Sequence, residues 1–196
     1  MSTPIEIKGI RIITVSGRIA SGSTTLAKHI SEKLNWRHIE GGEVFWEEVR
    51  KKLNLEEKDT NLRPDKDDLD FDEQLKKMLK EDSHIVLETK LSGFNAQGID
   101  GIFKILVVCE REGEDQSQIR IDRLVNREAY SIERAKEEAV ERENNDLDKW
   151  RKLYAMGDPT WVYFEKKYYD SVINTYDHNQ NESLKIALDA LGVKTP

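Results

Sequence analysis

The chain has 196 residues, of which 37% are hydrophobic and 35% are charged, which suits one globular domain with a core of ordinary size. The net charge of −7 argues against a general nucleic-acid binder, which would carry a basic surface. The single cysteine, Cys109, allows no internal disulfide, and this fits a cytoplasmic protein. No signal-peptide pattern and no apolar run of about 18 residues is present, so neither secretion nor a membrane span is expected.

The first predicted elements are a strand, a glycine loop and a helix between residues 10 and 30. An apolar β-branched run up to Val15 indicates a buried strand, and a loop bounded by Gly17 and Gly22 follows. Apolar residues then recur at the spacing of one helix face up to Leu34. In this order, the main-chain N–H groups of the loop and the helix N-terminus can hold an anion such as phosphate.

The later elements alternate between strands and helices. Short apolar runs predict strands at 36–39, 85–87, 102–109 and 171–175. Amphipathic patterns predict helices at 43–53, 68–80, 116–128, 132–154 and 183–191, with an exposed connection at 54–67. This alternation predicts a parallel sheet with helices on both faces, whose ligands bind beyond the carboxyl ends of the strands.

The glycine loop is close to the phosphate-binding motif G-x-x-x-x-G-K-[ST], but Ser23 stands at the lysine position. Thr24 keeps the hydroxyl that the motif places on Mg²⁺. An ordinary strand-to-helix turn has the same glycine spacing, but the strand before the loop and the hydroxyl residues after it favour phosphate binding. The residues expected to bind the donor phosphates are Gly17, Ala20, Ser21, Gly22, Ser23, Thr24 and Thr25. The charge of the absent lysine must come from elsewhere or be missing.

A second candidate is a stripe of arginines, Arg120, Arg123, Arg127 and Arg134, which share one helical face if the helix continues through residues 130–131. The alternative is a solvated face paired with nearby glutamates. The absence of lysine from the stripe favours function, because guanidinium binds phosphate oxygens bidentately. Such arginines stabilise charge on a transferring phosphoryl group, and these would also make up for the absent lysine.

Two further sets of charged residues follow from the predicted strands and helices. Glu88 ends the third strand, where a carboxylate can hold Mg²⁺, and Lys90 would hold an acceptor phosphate; a strand-end salt bridge is the alternative. Asp68 and Asp72 lie one helical turn apart. They are either surface charges or residues that face the base of an acceptor.

These segments together resemble the cytidylate kinases of the nucleoside monophosphate kinase superfamily, most closely the short archaeal type. ITVSGRIASGSTTLAKHISEKL is similar to the loop and first helix of that type, in which threonine or a small residue at the lysine position is usual. The other similar segments, in chain order, are IEGGEVFWE, DLDFDEQLKKML, HIVLETKLSGF, IRIDRLVNREAYSIERAKEE, VERENNDLDKWRKLY and YYDSVINT.

The resemblance implies a three-layer P-loop NTPase fold, α/β, with a five-stranded parallel core (5–39, 84–110 and 157–196). It implies an acceptor-binding insertion at 40–83 and a mobile lid at 111–156. The implied reaction is transfer of the ATP γ-phosphoryl group to CMP or dCMP with Mg²⁺, in a monomer. The implied catalytic residues are Arg120, Arg123 and Arg127, the implied metal-binding residues are Thr24 and Glu88, and the implied acceptor-binding residues are Gly42, Asp68, Asp72, Lys90 and Lys149.

Four positions depart from the family pattern, and two of them, Trp46 and Glu40, stand where the resemblance places the acceptor phosphate and base. Trp46, Lys90 and Lys149 stand where the family has arginine, and Glu40 stands where it has serine. Lysine keeps the charge but loses the planar fork of guanidinium. Two alternatives to a cytidylate kinase therefore remain: a nucleotide-binding module without catalysis, and a kinase of the same fold for another small acceptor.

Overall fold

The structure is a computed structural model, and it describes residues 3–41 and 64–193. Its strands are β1 (Ile12–Gly17), β2 (Arg37–Glu40), β3 (Ile85–Glu88), β4 (Ile102–Val108), β5 (Glu110–Arg111), β6 (Glu114–Asp115) and β7 (Ser171–Asn174). Its α-helices are α1 (Ser23–Leu34), α2 (Asp65–Glu81), α3 (Ser92–Asn95), α4 (Ser117–Glu128), α5 (Ile132–Lys136), α6 (Glu143–Tyr154) and α7 (Gln180–Ala190). A π-helix at Glu137–Arg142 joins α5 to α6, and a 3₁₀ turn covers Lys166–Tyr168.

The main sheet has five parallel strands in the order β2-β3-β1-β4-β7, which confirms the predicted five-stranded parallel core. Every residue of the central strand β1 is buried, as expected for a parallel sheet covered on both faces. The strands place their carboxyl ends at one edge, where Glu40 of β2 lies opposite Glu88 of β3. β5 and β6 form a separate antiparallel pair just after β4.

Two apolar clusters cover the two faces of the sheet. On one face, Ile13 and Val15 pack with α1 and α7, including Ile30 and Leu188. On the other face, apolar residues of β1 and β3 pack with Leu75 and Leu79 of α2 and with Ala96. Each fully buried isoleucine or leucine stabilises the fold by roughly 1.5–3 kcal/mol, so these clusters hold the strand ends in place.

The predicted element boundaries were wrong at several helices. α2 begins at Asp65, inside the predicted connection, because Pro64 precedes it and three aspartates in its first turn favour a helix N-terminus. α7 begins at Gln180, because Asn179 and Glu182 form a capping box ahead of the first apolar residue. The helix predicted at 43–53 lies outside the described residues.

The segment predicted as one helix at 132–154 is helical throughout but changes its hydrogen-bonding pattern at the π-helix. Its second half is anchored in the core, since Leu147 and Trp150 share a buried cluster with Leu91, Trp161 and Tyr163. The described part of the chain contains no helix with the length and hydropathy that crossing a membrane requires.

Candidate active site

The glycine loop lies between the end of β1 at Gly17 and the start of α1 at Ser23. Gly22 caps α1 with φ 106°, and no side chain caps the first turn. Within the described residues, the main-chain N–H groups of residues 20 and 22–25 donate no hydrogen bond. A helix N-terminus with open amides attracts anions through the helix dipole and through hydrogen bonds.

Gly17 is required by close packing at the base of the loop. A Cβ added there would lie 2.4 Å from Ser21 Oγ and 2.9 Å from the carbonyl oxygen of Val107. Ala20 has φ 60°, so an ordinary side chain occupies a left-handed position in this loop. The loop is therefore a tight turn fixed by its neighbours, with open amides at its helical end.

Glu88 lies against the start of α1. Its Oε1 atom accepts hydrogen bonds from Ser23 Oγ at 2.9 Å and from Thr24 Oγ1 at 3.2 Å. Burial raises the pKa of Glu88 to about 7, and the nearby Glu40 carboxylate adds to the rise while the two hydroxyls oppose it. A carboxylate with serine and threonine hydroxyls is the oxygen donor set that suits Mg²⁺, so these residues fit the predicted metal site.

Arg120 of α4 is fully buried against the loop and is already saturated with partners. It binds Asp115 through Nε at 3.0 Å and Nη2 at 2.8 Å. Its Nη1 atom donates to the carbonyl oxygen of Ile19 at 2.8 Å and lies 3.4 Å from Glu143. Arg120 therefore ties α4 and α6 to the outer side of the loop.

Arg123, one turn further along α4, also contacts the loop. Its Nη1 atom donates to the carbonyl oxygens of Ala20 at 3.2 Å and Ser21 at 3.1 Å, and to Thr175 Oγ1 at 2.9 Å. Its Nη2 atom donates to the carbonyl oxygen of Thr175 at 2.9 Å. The Thr175 hydroxyl in turn donates to Ser21, so the end of β7 supports the same peptide group.

The other two arginines of the predicted stripe have partners outside the loop. Arg127 is 57% exposed and pairs with Glu128 at 2.5 Å. The condition for including Arg134, a helix that continues through residues 130–131, is not met: α4 ends at Glu128 with Ala129 at φ 54°, and Arg134 lies in α5 over the ring of Tyr130. The break agrees with the separate helices predicted at 116–128 and 132–154. The stripe therefore ends at Arg127.

The predicted acceptor-binding residues gather between α2 and α6. Lys149 Nζ lies 2.6 Å from Asp68, and Lys90 Nζ lies 2.8 Å from Asp146. Asp72 accepts hydrogen bonds from Asn95 Nδ2 at 2.8 Å and from the Tyr154 hydroxyl. Burial raises the pKa of Asp72, against the effect of these two donors. Gly42 and Trp46 lie outside the described residues.

Sequence patterns did not single out four residues that shape the loop: Arg18, Asp115, Glu143 and Thr175. Glu143 is 1% exposed, and it binds Arg18 Nε at 2.6 Å and the Ile19 N–H at 3.2 Å. Arg18 also pairs with Asp115 at 3.1 Å. For Arg18 and Glu143 the signal in the sequence was a charged residue within the glycine loop and within a helix with an apolar face; Asp115 and Thr175 had no such signal.

Comparisons with known proteins agree with this architecture. A family model described as an AAA domain matches residues 16–151, more than half of the chain. A cytidylate kinase of Haloarcula marismortui is 29% identical over 94% of this chain and 91% of its own. A cytidylate kinase of Methanosarcina mazei is 31% identical over 91% of this chain and 97% of its own. The crystal structure of shikimate kinase from Bacteroides thetaiotaomicron is similar in fold, with a TM-score of 0.57, 14% identity and coverage of 93% of this chain and 99% of that chain.

The five-stranded parallel sheet, with a phosphate-type loop after its first strand and helices on both faces, defines an α/β P-loop fold, which the shikimate kinase structure shares. The likeness to relatives extends over nearly the whole of both chains. The chain belongs to the AAA-domain family of the matching model and to the cytidylate kinase family, and it is a nucleoside monophosphate kinase.

Proposed function

We propose that the protein transfers the γ-phosphoryl group of ATP to CMP or dCMP, forming ADP and CDP or dCDP. The observation that carries this acceptor is the similarity to archaeal cytidylate kinases along nearly the whole chain. In phosphoryl transfer the protein positions the two substrates and stabilises charge, and no covalent intermediate is needed.

In this proposal the open amides of Ala20 and of residues 22–25 bind the donor phosphates at the N-terminus of α1. Thr24 and Glu88 hold Mg²⁺, which supplies neutralisation of the phosphate charge when it is bound. Arg127 is exposed at the end of α4 and turns toward the transferring group when the lid closes, while Arg120 and Arg123 hold the loop.

The acceptor binds between α2 and α6. Lys90 and Lys149 anchor its phosphate or ribose, and Asp68 and Asp72 contact its base. Both lysines already face carboxylates, so an entering phosphate exchanges one anionic partner for another. Residues 40–83 then form the acceptor-binding part, residues 111–156 form the lid, and the enzyme acts as a monomer in the cytoplasm.

A coupled assay of ADP release tests the acceptor with CMP, dCMP, UMP, AMP and small hydroxyl compounds at saturating Mg·ATP. We expect kcat/KM for CMP or dCMP to exceed that for the other compounds at least tenfold. A preference for another compound would assign a different acceptor. Tight ATP binding without turnover of any acceptor would identify a non-catalytic module.

A further inference from the structure

The loop lacks the lysine of its motif, and Ser23, which replaces that lysine, supplies no positive charge. Ser23 stands at that position and donates its hydroxyl to Glu88. A polyphosphate that binds at the loop therefore needs a cation from another part of the chain. Within the described residues, Arg18 belongs to the loop, and the arginines that donate hydrogen bonds to loop carbonyl oxygens are Arg120 and Arg123.

Two of these cations are neutralised by two carboxylates, the buried Glu143 and the partly exposed Asp115. Arg120 pairs with Asp115 and Glu143, and Arg18 pairs with the same two residues. The four side chains form a balanced cluster of two positive and two negative charges. Their arrangement fixes the position of the loop but leaves little net charge for a bound phosphate.

Arg123 differs because its partners are neutral. Its four hydrogen bonds go to the carbonyl oxygens of Ala20, Ser21 and Thr175 and to the Thr175 hydroxyl. Within residues 3–41 and 64–193, its guanidinium forms no ion pair. Its full positive charge is therefore held directly against the loop.

The peptide group between Ser21 and Gly22 links Arg123 to the side of the loop that carries the open N–H groups. A trans peptide group is planar, so its C=O and N–H bonds point in opposite directions. The carbonyl oxygen of Ser21 is bound by Arg123 and Thr175, and the N–H of the same peptide group belongs to Gly22. That N–H is one of the open donors at the start of α1. A cation on the carbonyl oxygen also polarises the peptide group and strengthens its N–H as a donor.

We propose that Arg123 replaces the missing loop lysine from the outer side of the loop, as a positioning residue that orients and charges the peptide groups facing the donor phosphates. This inference rests on the proposed role of the loop in donor binding and does not depend on which acceptor is used. It gives Arg123 an effect on the donor without direct contact with the transferring phosphoryl group.

Calorimetric titration of the full chain with Mg²⁺ and a non-hydrolysable ATP analogue tests the proposal. We expect Arg123→Met to weaken analogue binding at least 30-fold, and Arg123→Lys about tenfold, because lysine keeps the charge but holds fewer carbonyls. Arg37→Met, at a surface ion pair with Asp82 where β2 begins, is the matched control and should bind within twofold of the parent. Binding by Arg123→Met within threefold of the parent would overturn the proposal. If Arg123→Met does not fold, binding by Arg123→Lys within threefold of the parent would overturn it instead.

Two further measurements separate action through the peptide from direct contact. In ligand-free Arg123→Met, the amide resonance of Gly22 should shift, because the peptide loses its polarising cation. An unchanged Gly22 resonance together with lost affinity would show direct contact and overturn the proposal. The double variant Ser23→Lys/Arg123→Met should regain at least fivefold in affinity over Arg123→Met, and no regain would refute the replacement of lysine. A parent protein that does not bind the analogue would instead refute the proposed function.

Discussion

Arg120 and Arg123 have the same side chain and lie one turn apart on α4, yet their surroundings give them different parts in the site. Arg120 faces two carboxylates, which neutralise its charge and offset the desolvation free energy of burying its guanidinium. Arg123 faces carbonyl oxygens and a hydroxyl. The identity of a residue therefore matters less here than the charge of the atoms around it.

Glu88 provides a prediction on pH dependence, measured without metal. Its pKa is raised from about 4.5 to about 7, so between these values the folded protein keeps a proton that the unfolded chain has released. Stability therefore falls as pH rises through this window, by roughly 3 kcal/mol in full. We expect Glu88→Gln to leave the free energy of unfolding nearly unchanged at pH 4.5 and to raise it by about 2–3 kcal/mol at pH 8, as measured by urea unfolding in EDTA.

The same substitution should lower kcat at least 100-fold, since a neutral amide is a weak ligand for Mg²⁺. Stability and activity then change in opposite directions, as is common at active sites. An equal change in unfolding free energy at both pH values would contradict the assignment of the raised pKa to this carboxyl group.

At this scale the sequence placed Ser23 and Thr24 in the loop by a motif and Glu88 at a strand end, but it did not predict that both hydroxyls donate hydrogen bonds to Glu88. It did not predict that Arg120 is buried. The partners of Arg120 come from residues 19, 115, 139 and 143, which meet only when the loop, the β5–β6 pair and α6 have packed together.

At the scale of elements, the cap of α7 shows how a side chain fixes a helix end. The Asn179 side chain accepts from the N–H groups of residues 181 and 182, and Glu182 reaches back to the N–H of residue 179. We expect Asn179→Ala to lower the free energy of unfolding by about 1 kcal/mol in chemical denaturation. Asn181→Ala, an exposed neighbour in the first turn, is the control and should change it by less than about 0.5 kcal/mol. Equal losses in both variants would show that the cap contributes nothing specific.

The link between α2 and α6 supports a prediction on acceptor binding. Lys149→Met leaves the buried Asp68 carboxylate without this cation, so stability should fall by about 1–3 kcal/mol and KM for CMP should rise about tenfold. The double variant Asp68→Asn/Lys149→Met should recover stability without recovering KM, which initial-rate kinetics and thermal unfolding can establish.

Lys152→Met, on the exposed side of the same helix, is the control and should leave KM for CMP and for ATP unchanged. Recovery of KM in the double variant would show that Lys149 acts only through stability and does not contact the acceptor.

Element types were largely predictable, since apolar runs and helical periodicity follow from burial on the sheet. The π-helix was not predictable, because residues 137–142 have the composition of an ordinary charged helix. Its position is informative all the same: it directly precedes Glu143, and the Ala139 carbonyl inside it accepts from Arg120. π-helical turns often occur where a helix must change its face at a functional site.

On the scale of the whole molecule, the sheet positions the residues of both proposed substrate sites. β1 and β3 end at the loop and at Glu88, α4 rests on the loop, and α6 is joined both to the core and to α2. Residues of the proposed donor and acceptor sites therefore share α6, through Glu143 at its start and Lys149 and Tyr154 further along. In this proposal, a ligand at either site restrains the same helix.

This shared helix predicts cooperative binding of the two substrates. Ligands that bind only the folded state raise its stability by mass action, by about 2.7 kcal/mol at one hundred times the dissociation constant. We expect CMP and the ATP analogue together to raise the melting temperature by more than the sum of their separate effects. AMP and UMP in place of CMP serve as controls, and a strictly additive rise with CMP would contradict coupling through α6.

The contacts made by Arg120 and Arg123 to the loop end on carbonyl oxygens, and every amino acid carries one. These hydrogen bonds therefore do not depend on which side chains stand at positions 19 and 21, although packing restricts both, because Ser21 is fully buried and Ile19 lies against an apolar cluster. An exchange of Arg120, Arg123 or Thr175, in contrast, removes a hydrogen-bonding partner of the loop. A search that demands lysine after the second glycine passes over such chains. A search for R-x-x-R in the first helix after β4, together with N-T at the end of β7, would find them.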